Sequence, residues 1–133
     1  IKTRKAPQTD ASRRKIAEIY RNKLSGLKSL QIILPENLKQ TSCWKLPVIL
    51  DEKINRDILL SKLKNAHIYA DKSYDPPLHL QPVIKKIYNT SKGLLPISEN
   101  ILSRSICLPS HQSMLTDDVD YVCEKLIEII KTF

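Results

Sequence analysis

The stretch Tyr74-Asp75-Pro76-Pro77-Leu78-His79-Leu80-Gln81-Pro82 limits the fold more than any other in the chain. Three prolines in nine residues exclude an ordinary helix. Each fixes φ and lacks an N–H, and each disfavours α geometry in the residue before it. The expectation is a stiff, irregular loop. Tyr74, His79 and Gln81 sit inside it, and such side chains on a rigid loop are where function tends to lie. The plainer alternative is a proline-rich connector with a solvated histidine.

Several chemistries are excluded early. The only glycines are Gly26 and Gly93, so neither G-x-G-x-x-G nor G-x-x-x-x-G-K can be written. There is no H-E-x-x-H, no G-x-S-x-G and no paired-carboxylate motif. Cys43, Cys107 and Cys123 lie far apart with no metal-ligand spacing, and read as buried reduced thiols of a cytoplasmic protein. No metal site is expected. No apolar run approaches the roughly 20 residues that span a bilayer, so no membrane partner is expected. The chain opens on Ile1 rather than Met and reads as a piece of a longer protein.

The 133 residues suit one domain, and 22 Lys+Arg against 14 Asp+Glu leave a net charge of +8. Part of the excess gathers in Arg13, Arg14, Lys15, Arg21 and Lys23, behind Lys2, Arg4 and Lys5. A basic helix there could bind nucleic acid or another polyanion. A solvated basic face is the reading preferred here, so nucleic acid is not the expected partner.

Residues 1–9 read as a linker or arm, and the domain as 10–133. Thr9 or Asp10 caps a first helix to about Leu24, with Ile16, Ala17, Tyr20 and Leu24 on its apolar face. Leu30–Leu34 and Cys43–Leu50 are strand candidates. Pro47 inside the second suggests an edge or a bulge, and Trp44 reads as a core anchor. Asp51 or Asn55 opens a helix with Ile58, Leu59, Leu63 and Ala66 on one face. Asn65 or His67 then takes a left-handed cap. Ile68-Tyr69-Ala70 is a third strand. Val83–Tyr88 and Ile97–Arg104 are helical, with Ser98 as a cap for the second. Ser105–Leu108 is a fourth strand, followed by an irregular loop around His111. Thr116 caps a last helix with Asp117 and Asp118 in its first turn. Its stripe is Val119, Val122, Cys123, Leu126, Ile129 and Ile130. Spacings this short do not allow four parallel crossovers. The expected class is α+β, a small, mostly antiparallel sheet with helices packed on it. The loops around His79 and His111 each follow a strand and precede a helix, which makes them candidates for one shared site.

Four blocks, in order, carry a family resemblance. They are Arg13-Arg14-x-Ile16-Ala17-x-x-Tyr20-x-x-x-Leu24; Arg56-x-x-Leu59-x-x-x-Leu63; Tyr74-x-x-Pro77-Leu78-His79-Leu80-Gln81-Pro82; and Pro96-Ile97-Ser98-Glu99 leading to Leu108-Pro109-x-His111-x-x-x-Leu115-Thr116 and Asp120-Tyr121-Val122. From Asp10 onward the chain resembles the C-terminal domain of the DegT/DnrJ/StrS family of sugar aminotransferases. The resemblance implies the small C-terminal domain of a fold-type I aminotransferase that uses pyridoxal phosphate (PLP). The implied reaction moves an amino group, typically from glutamate, to the keto group of a nucleotide-linked sugar in polysaccharide or lipopolysaccharide biosynthesis. In that family the Schiff-base lysine and the cofactor-binding groups belong to a large N-terminal domain, which also makes most of the homodimer contact. None of that domain is in this sequence. The resemblance therefore implies no catalytic and no cofactor-binding residue here, no PLP bound to this chain alone, and no catalysis by it. It nominates His79 and Tyr74 to face substrate, with Gln81 and His111 behind them. Two departures stand out. The family usually has Gly where His67 stands, and often His-Tyr-Pro where Ser73-Tyr74-Asp75 stands.

Overall fold

The computed structural model describes residues 6–133. Lys2, Arg4, Lys5 and the rest of the front of the expected arm lie outside the described residues. In chain order the elements are α1 (Ala6–Leu24), β1 (Leu30–Ile32), β2 (Leu46–Leu50), α2 (Arg56–Asn65), β3 (Asp71–Lys72), α3 (Pro82–Tyr88), α4 (Pro96–Ser103), β4 (Ser105–Leu108) and α5 (Thr116–Ile130). The strands form one sheet in the order β1-β2-β4-β3, and every pairing is antiparallel. This is the α+β architecture expected.

Alternation places the core. Leu46, Val48 and Leu50 of β2 are buried, while Pro47 and Ile49 between them are half-buried. Ile106 and Leu108 of β4 enter the same core, and Cys107 stays half-exposed. The helices bring matching stripes: Ile16, Ala17, Tyr20 and Leu24 from α1, Leu59 and Leu63 from α2, and Val119, Val122, Cys123, Leu126 and Ile130 from α5. Burial pushes the Cys123 thiol up to about 11, so it stays protonated and packs as a small apolar group. The Tyr20 hydroxyl donates to the Pro109 carbonyl at 3.0 Å. That bond ties α1 to the start of the His111 loop.

Several local expectations change. The first helix already covers Ala6–Leu24 rather than opening at Thr9 or Asp10, so residues 6–9 are helical and not part of an arm. Pro47 stands on an inner strand. Its carbonyl accepts from Ile33 N–H at 3.0 Å, but it has no N–H to return, and the β1 pairing stops at Ile32. Trp44 is no core anchor: it is 60% exposed. Ile58 is exposed as well. Asn55 caps α2, accepting from the Asp57 and Ile58 N–H groups at 3.0 Å. His67 takes the left-handed conformation (φ 58°) that the missing glycine required. That turn drops Ile68 into the core and shifts the third strand to Asp71–Lys72. The N-caps of α4 and α5 are Leu95 and Leu115 rather than Ser98 and Thr116. Both are served from inside the helix, since Glu99 accepts from Leu95 N–H and Asp118 from Leu115 N–H.

Candidate substrate-binding site

The proline-rich segment is held at both ends. At its front, Asp75 pairs with Arg56 (Oδ2–Nη2 2.6 Å) and lies 3.6 Å from Lys72 Nζ. Arg56 also donates to the Leu102 carbonyl at 2.8 Å, so one guanidinium joins α2, the loop and the end of α4. The preceding peptide bond to Pro76 is cis, and Tyr74 has φ 51°. Leu78–Leu80 then close a single 3₁₀ turn.

At its back, the His79 side chain turns inward and is 7% exposed. Its Nε2 lies 2.9 Å from Glu99 Oε1. A carboxylate only accepts, so Nε2–H is the donor. Glu99 also accepts from Gly93 N–H at 2.8 Å and from Leu95 N–H. The hydrogen bond from His79, helped by the two backbone amides, holds the Glu99 carboxyl below the usual glutamate range. Gly93 adopts φ 93°, a conformation that suits glycine and aims its N–H at that carboxylate. Thr90 Oγ1 donates to the His79 carbonyl. The Gln81 amide donates to the Pro76 carbonyl at 2.8 Å. His79 and Gln81 are thus braces of the loop. The resemblance nominates His79 to face substrate with Gln81 behind it; in the structure the His79 ring is engaged by Glu99 of α4 and the Gln81 amide by the Pro76 carbonyl. Asp75 and His79, four apart in sequence, take different partners.

Tyr74 faces outward, 63% exposed. Lys45 Nζ sits 4.4 Å from its ring centroid and 4.9 Å from that of Trp44. This half-buried ammonium makes no ion pair among the described residues. Beside it opens a groove of about 570 Å³ lined by Trp44, Lys45, Tyr69, Lys72, Cys107 and Ser110, among others. His111 is exposed and borders a second groove, of about 440 Å³, with His67, Met114 and Tyr121. Tyr69 and Pro109 line both grooves. The structure therefore sets the His111 loop on one groove and Lys45, whose ammonium touches the Tyr74 ring, on the adjoining one, rather than bringing both loops into one pocket. Position 73, where the family often has histidine, holds a buried serine whose Oγ lies 2.7 Å from Cys107 Sγ. Sequence reasoning missed Lys45, Arg56 and Glu99 as organisers of this region. Arg56 and Glu99 stood inside the matched blocks, and Lys45 lay next to the only tryptophan.

The basic helix is largely committed to its own domain. Arg13 and Arg14 reach Asp10 at 3.9 and 4.0 Å. Arg14 donates to the Thr41 carbonyl, and Arg21 to the Pro35 and Glu36 carbonyls. Lys23 pairs with Asp120 at 2.9 Å, linking α1 to α5. No helix among the described residues is long and apolar enough to cross a membrane, and no described cluster of His, Cys, Asp and Glu could hold a metal ion.

A model of the DegT/DnrJ/EryC1/StrS aminotransferase family matches residues 1–127. The chain belongs to this family. GDP-perosamine synthase of Vibrio cholerae is 32% identical over 114 residues, 84% of this chain and 30% of that protein. The dTDP-4-amino-4,6-dideoxy-D-glucose transaminase of Shigella dysenteriae is 26% identical over 83% of this chain and 30% of its own length. Among solved structures, the aminotransferase TlmJ from Streptoalloteichus hindustanus superposes with a TM-score of 0.83 at 27% identity, over 98% of this chain and 34% of that one. Escherichia coli GDP-4-keto-6-deoxy-D-mannose-3-dehydratase with bound hydrated PLP shares the fold, with a TM-score of 0.78 at 21% identity over 93% of this chain and 32% of that one. The chain thus spans about a third of the length of these members of the sugar aminotransferase family and of its fold.

The residues present do not fit the family's cofactor. A Schiff-base lysine needs a desolvated or otherwise lowered ammonium. Every described lysine is exposed or half-buried. Hydrogen bonds to Asp120 and Glu128 push Lys23 and Lys125 the opposite way, upward. With two glycines, the chain also lacks a glycine-rich phosphate cradle.

Proposed function

We propose that this chain is the C-terminal small domain of a PLP-dependent aminotransferase acting on a nucleotide-linked keto sugar. It covers the substrate side of a site whose lysine and cofactor-binding groups belong to a preceding domain, and alone it is not catalytic. Tyr74 and His111 face the substrate, while His79 and Gln81 act by holding the loop. The complete protein is a cytoplasmic homodimer joined mainly through the large domain.

The observation that carries this reading is the family match over residues 1–127, set beside side chains that offer binding groups but no desolvated lysine among the described residues. Relatives named for GDP- and dTDP-linked sugars support the substrate class. The alternative of a polyanion-binding helix is disfavoured by the internal partners of Arg13, Arg14, Arg21 and Lys23.

Amination of a nucleotide-linked 4-keto sugar, with glutamate and PLP present, tests the reading. The 133-residue chain alone is expected to form no amino sugar, and the complete protein that carries it is expected to form one. Turnover by the chain alone would overturn the non-catalytic claim. A complete protein inactive on GDP-, dTDP- and UDP-linked keto sugars would overturn the substrate class.

A further inference from the structure

Alternating charges close a ring at the front of the proline-rich loop. Asp75 pairs with Arg56 at 2.6 Å, and Arg56 Nε lies 3.7 Å from Asp57. Asp57 pairs in turn with Lys72 at 2.8 Å, and Lys72 Nζ lies 3.6 Å from Asp75. Arg56 and Asp57 open α2, Lys72 ends β3, and Asp75 follows Tyr74 in the loop. The ring therefore fastens β3 and the loop to the start of a core helix. Arg56 is its sheltered member, with a side chain only 12% exposed, and it also donates to the Leu102 carbonyl. Lys72 and Asp57 stand in solvent, where such pairs contribute little. Asp75 is the only carboxylate between Asp71 and Glu99 in the sequence, and it meets both cations of the ring.

Little else holds this stretch. β3 is two residues long, lies at the sheet edge, and pairs with β4 at Asp71–Cys107 and Lys72–Ile106. From Asp71 to Pro76 only Ser73 is buried. A segment with so little burial opens locally at low cost unless polar contacts hold it. The Arg56–Asp75 pair is the best sheltered of those contacts. Tyr74 is mostly exposed and touches Lys45 through its ring face, so its place is set by the backbone that Asp75 anchors. We propose that Arg56 and Asp75 are positioning residues: their pair latches β3 and the front of the loop as one flap and so fixes where the Tyr74 ring stands. The role in catalysis rests on the reading that Tyr74 faces substrate; the latch itself does not.

Hydrogen exchange on the 133-residue chain tests the latch, comparing peptides over residues 69–77 with α5 as the internal reference. Asp75→Asn is expected to quicken exchange in the flap about tenfold, as befits loss of a charge-assisted hydrogen bond, and to leave α5 unchanged. Asp75→Glu keeps the charge and is expected to keep the protection. Arg56→Lys cannot hold the Leu102 carbonyl and the carboxylate together, and is expected to behave as Asp75→Asn does. Cys107 gives a second readout, since it lies opposite Asp71 with its Sγ 2.7 Å from Ser73 Oγ. Its labelling by a maleimide should quicken in Asp75→Asn, while the buried Cys43 and Cys123 stay unlabelled. Unchanged flap exchange, or equal acceleration in α5, would overturn the latch. In the complete protein, Asp75→Asn and Tyr74→Ala are both expected to raise KM for the keto sugar severalfold, with kcat near the parent value for Asp75→Asn. A raised KM in Tyr74→Ala alone would overturn the positioning role. If KM rises in neither, the substrate-facing reading of Tyr74 falls and takes that role with it, while flap exchange still decides the latch.

Discussion

Leu126→Ala is expected to lower the unfolding free energy by about 2–5 kcal/mol, the usual cost of removing a fully buried leucine side chain. Leu126 has no exposed surface and lies on the buried stripe of α5, the helix that packs against both α1 and α2. A domain of this size holds about 5–15 kcal/mol in all. One such cavity therefore removes a large share of the margin. Ile129, also on the expected stripe, is only half-buried, and Ile129→Ala should cost clearly less. Urea denaturation of the two variants against the parent chain measures the difference. Equal losses would mean that α5 does not present the face described.

The second large effect concerns His79. His79→Ala is expected to cost about 1–3 kcal/mol, because a buried side chain and its hydrogen bond are removed together and Glu99 keeps only its two backbone donors. The damage should be local as well as global. Hydrogen exchange at the Gly93 and Leu95 amides, both held by Glu99, should quicken. The pH dependence follows with a definite sign. The folded Glu99 carboxyl sits below its ordinary value, mainly through His79. Its contribution is therefore present above the ordinary glutamate range and is lost as pH falls through the lowered value. Without His79 that depression shrinks, so the acid limb of the stability curve should flatten. If His79→Ala instead left stability, exchange and the acid limb unchanged while abolishing nucleotide binding, His79 would be a substrate contact and not a brace.

Much of the architecture was legible in the residues, because it rests on periodicity. The alternation through Leu46, Val48 and Leu50, and the 3.6-residue spacing from Val119 to Ile130, each say which face is buried without knowing what buries it. Ser105–Leu108 and the short helix expected at Val83–Tyr88, found at Pro82–Tyr88, were legible for a different reason, the prolines and turns that bound them. The failures also have a physical pattern. Trp44 was read as core because a lone large aromatic usually is, but it falls just outside β2 and turns to solvent beside Lys45. Ile68-Tyr69-Ala70 looks like a strand, yet the left-handed turn at His67 spends Ile68 on the core and delays pairing until Asp71. Pro47 suggested an edge, but proline is tolerated on an inner strand where a neighbouring ladder ends.

The site was legible only as a pair of loops. What holds the proline-rich loop is long-range: Glu99 lies twenty residues from His79, and Arg56 nineteen from Asp75. No periodicity reports such a pair, because each partner is set by the tertiary path between them. The same holds for Lys45 and Tyr74, which meet only once β4 draws β2 and β3 into one sheet. That the His79 ring turns inward to Glu99 while the Tyr74 ring turns outward beside Lys45 became visible only with the fold.

The central claim is that this chain binds and positions while the cofactor chemistry belongs elsewhere. The most direct test is to incubate the 133-residue chain with PLP at a one-to-one ratio, reduce with borohydride, and map modified lysines by mass spectrometry. The account predicts an essentially unmodified chain, with only traces of label spread over exposed lysines. A stoichiometric adduct at a single lysine would contradict it.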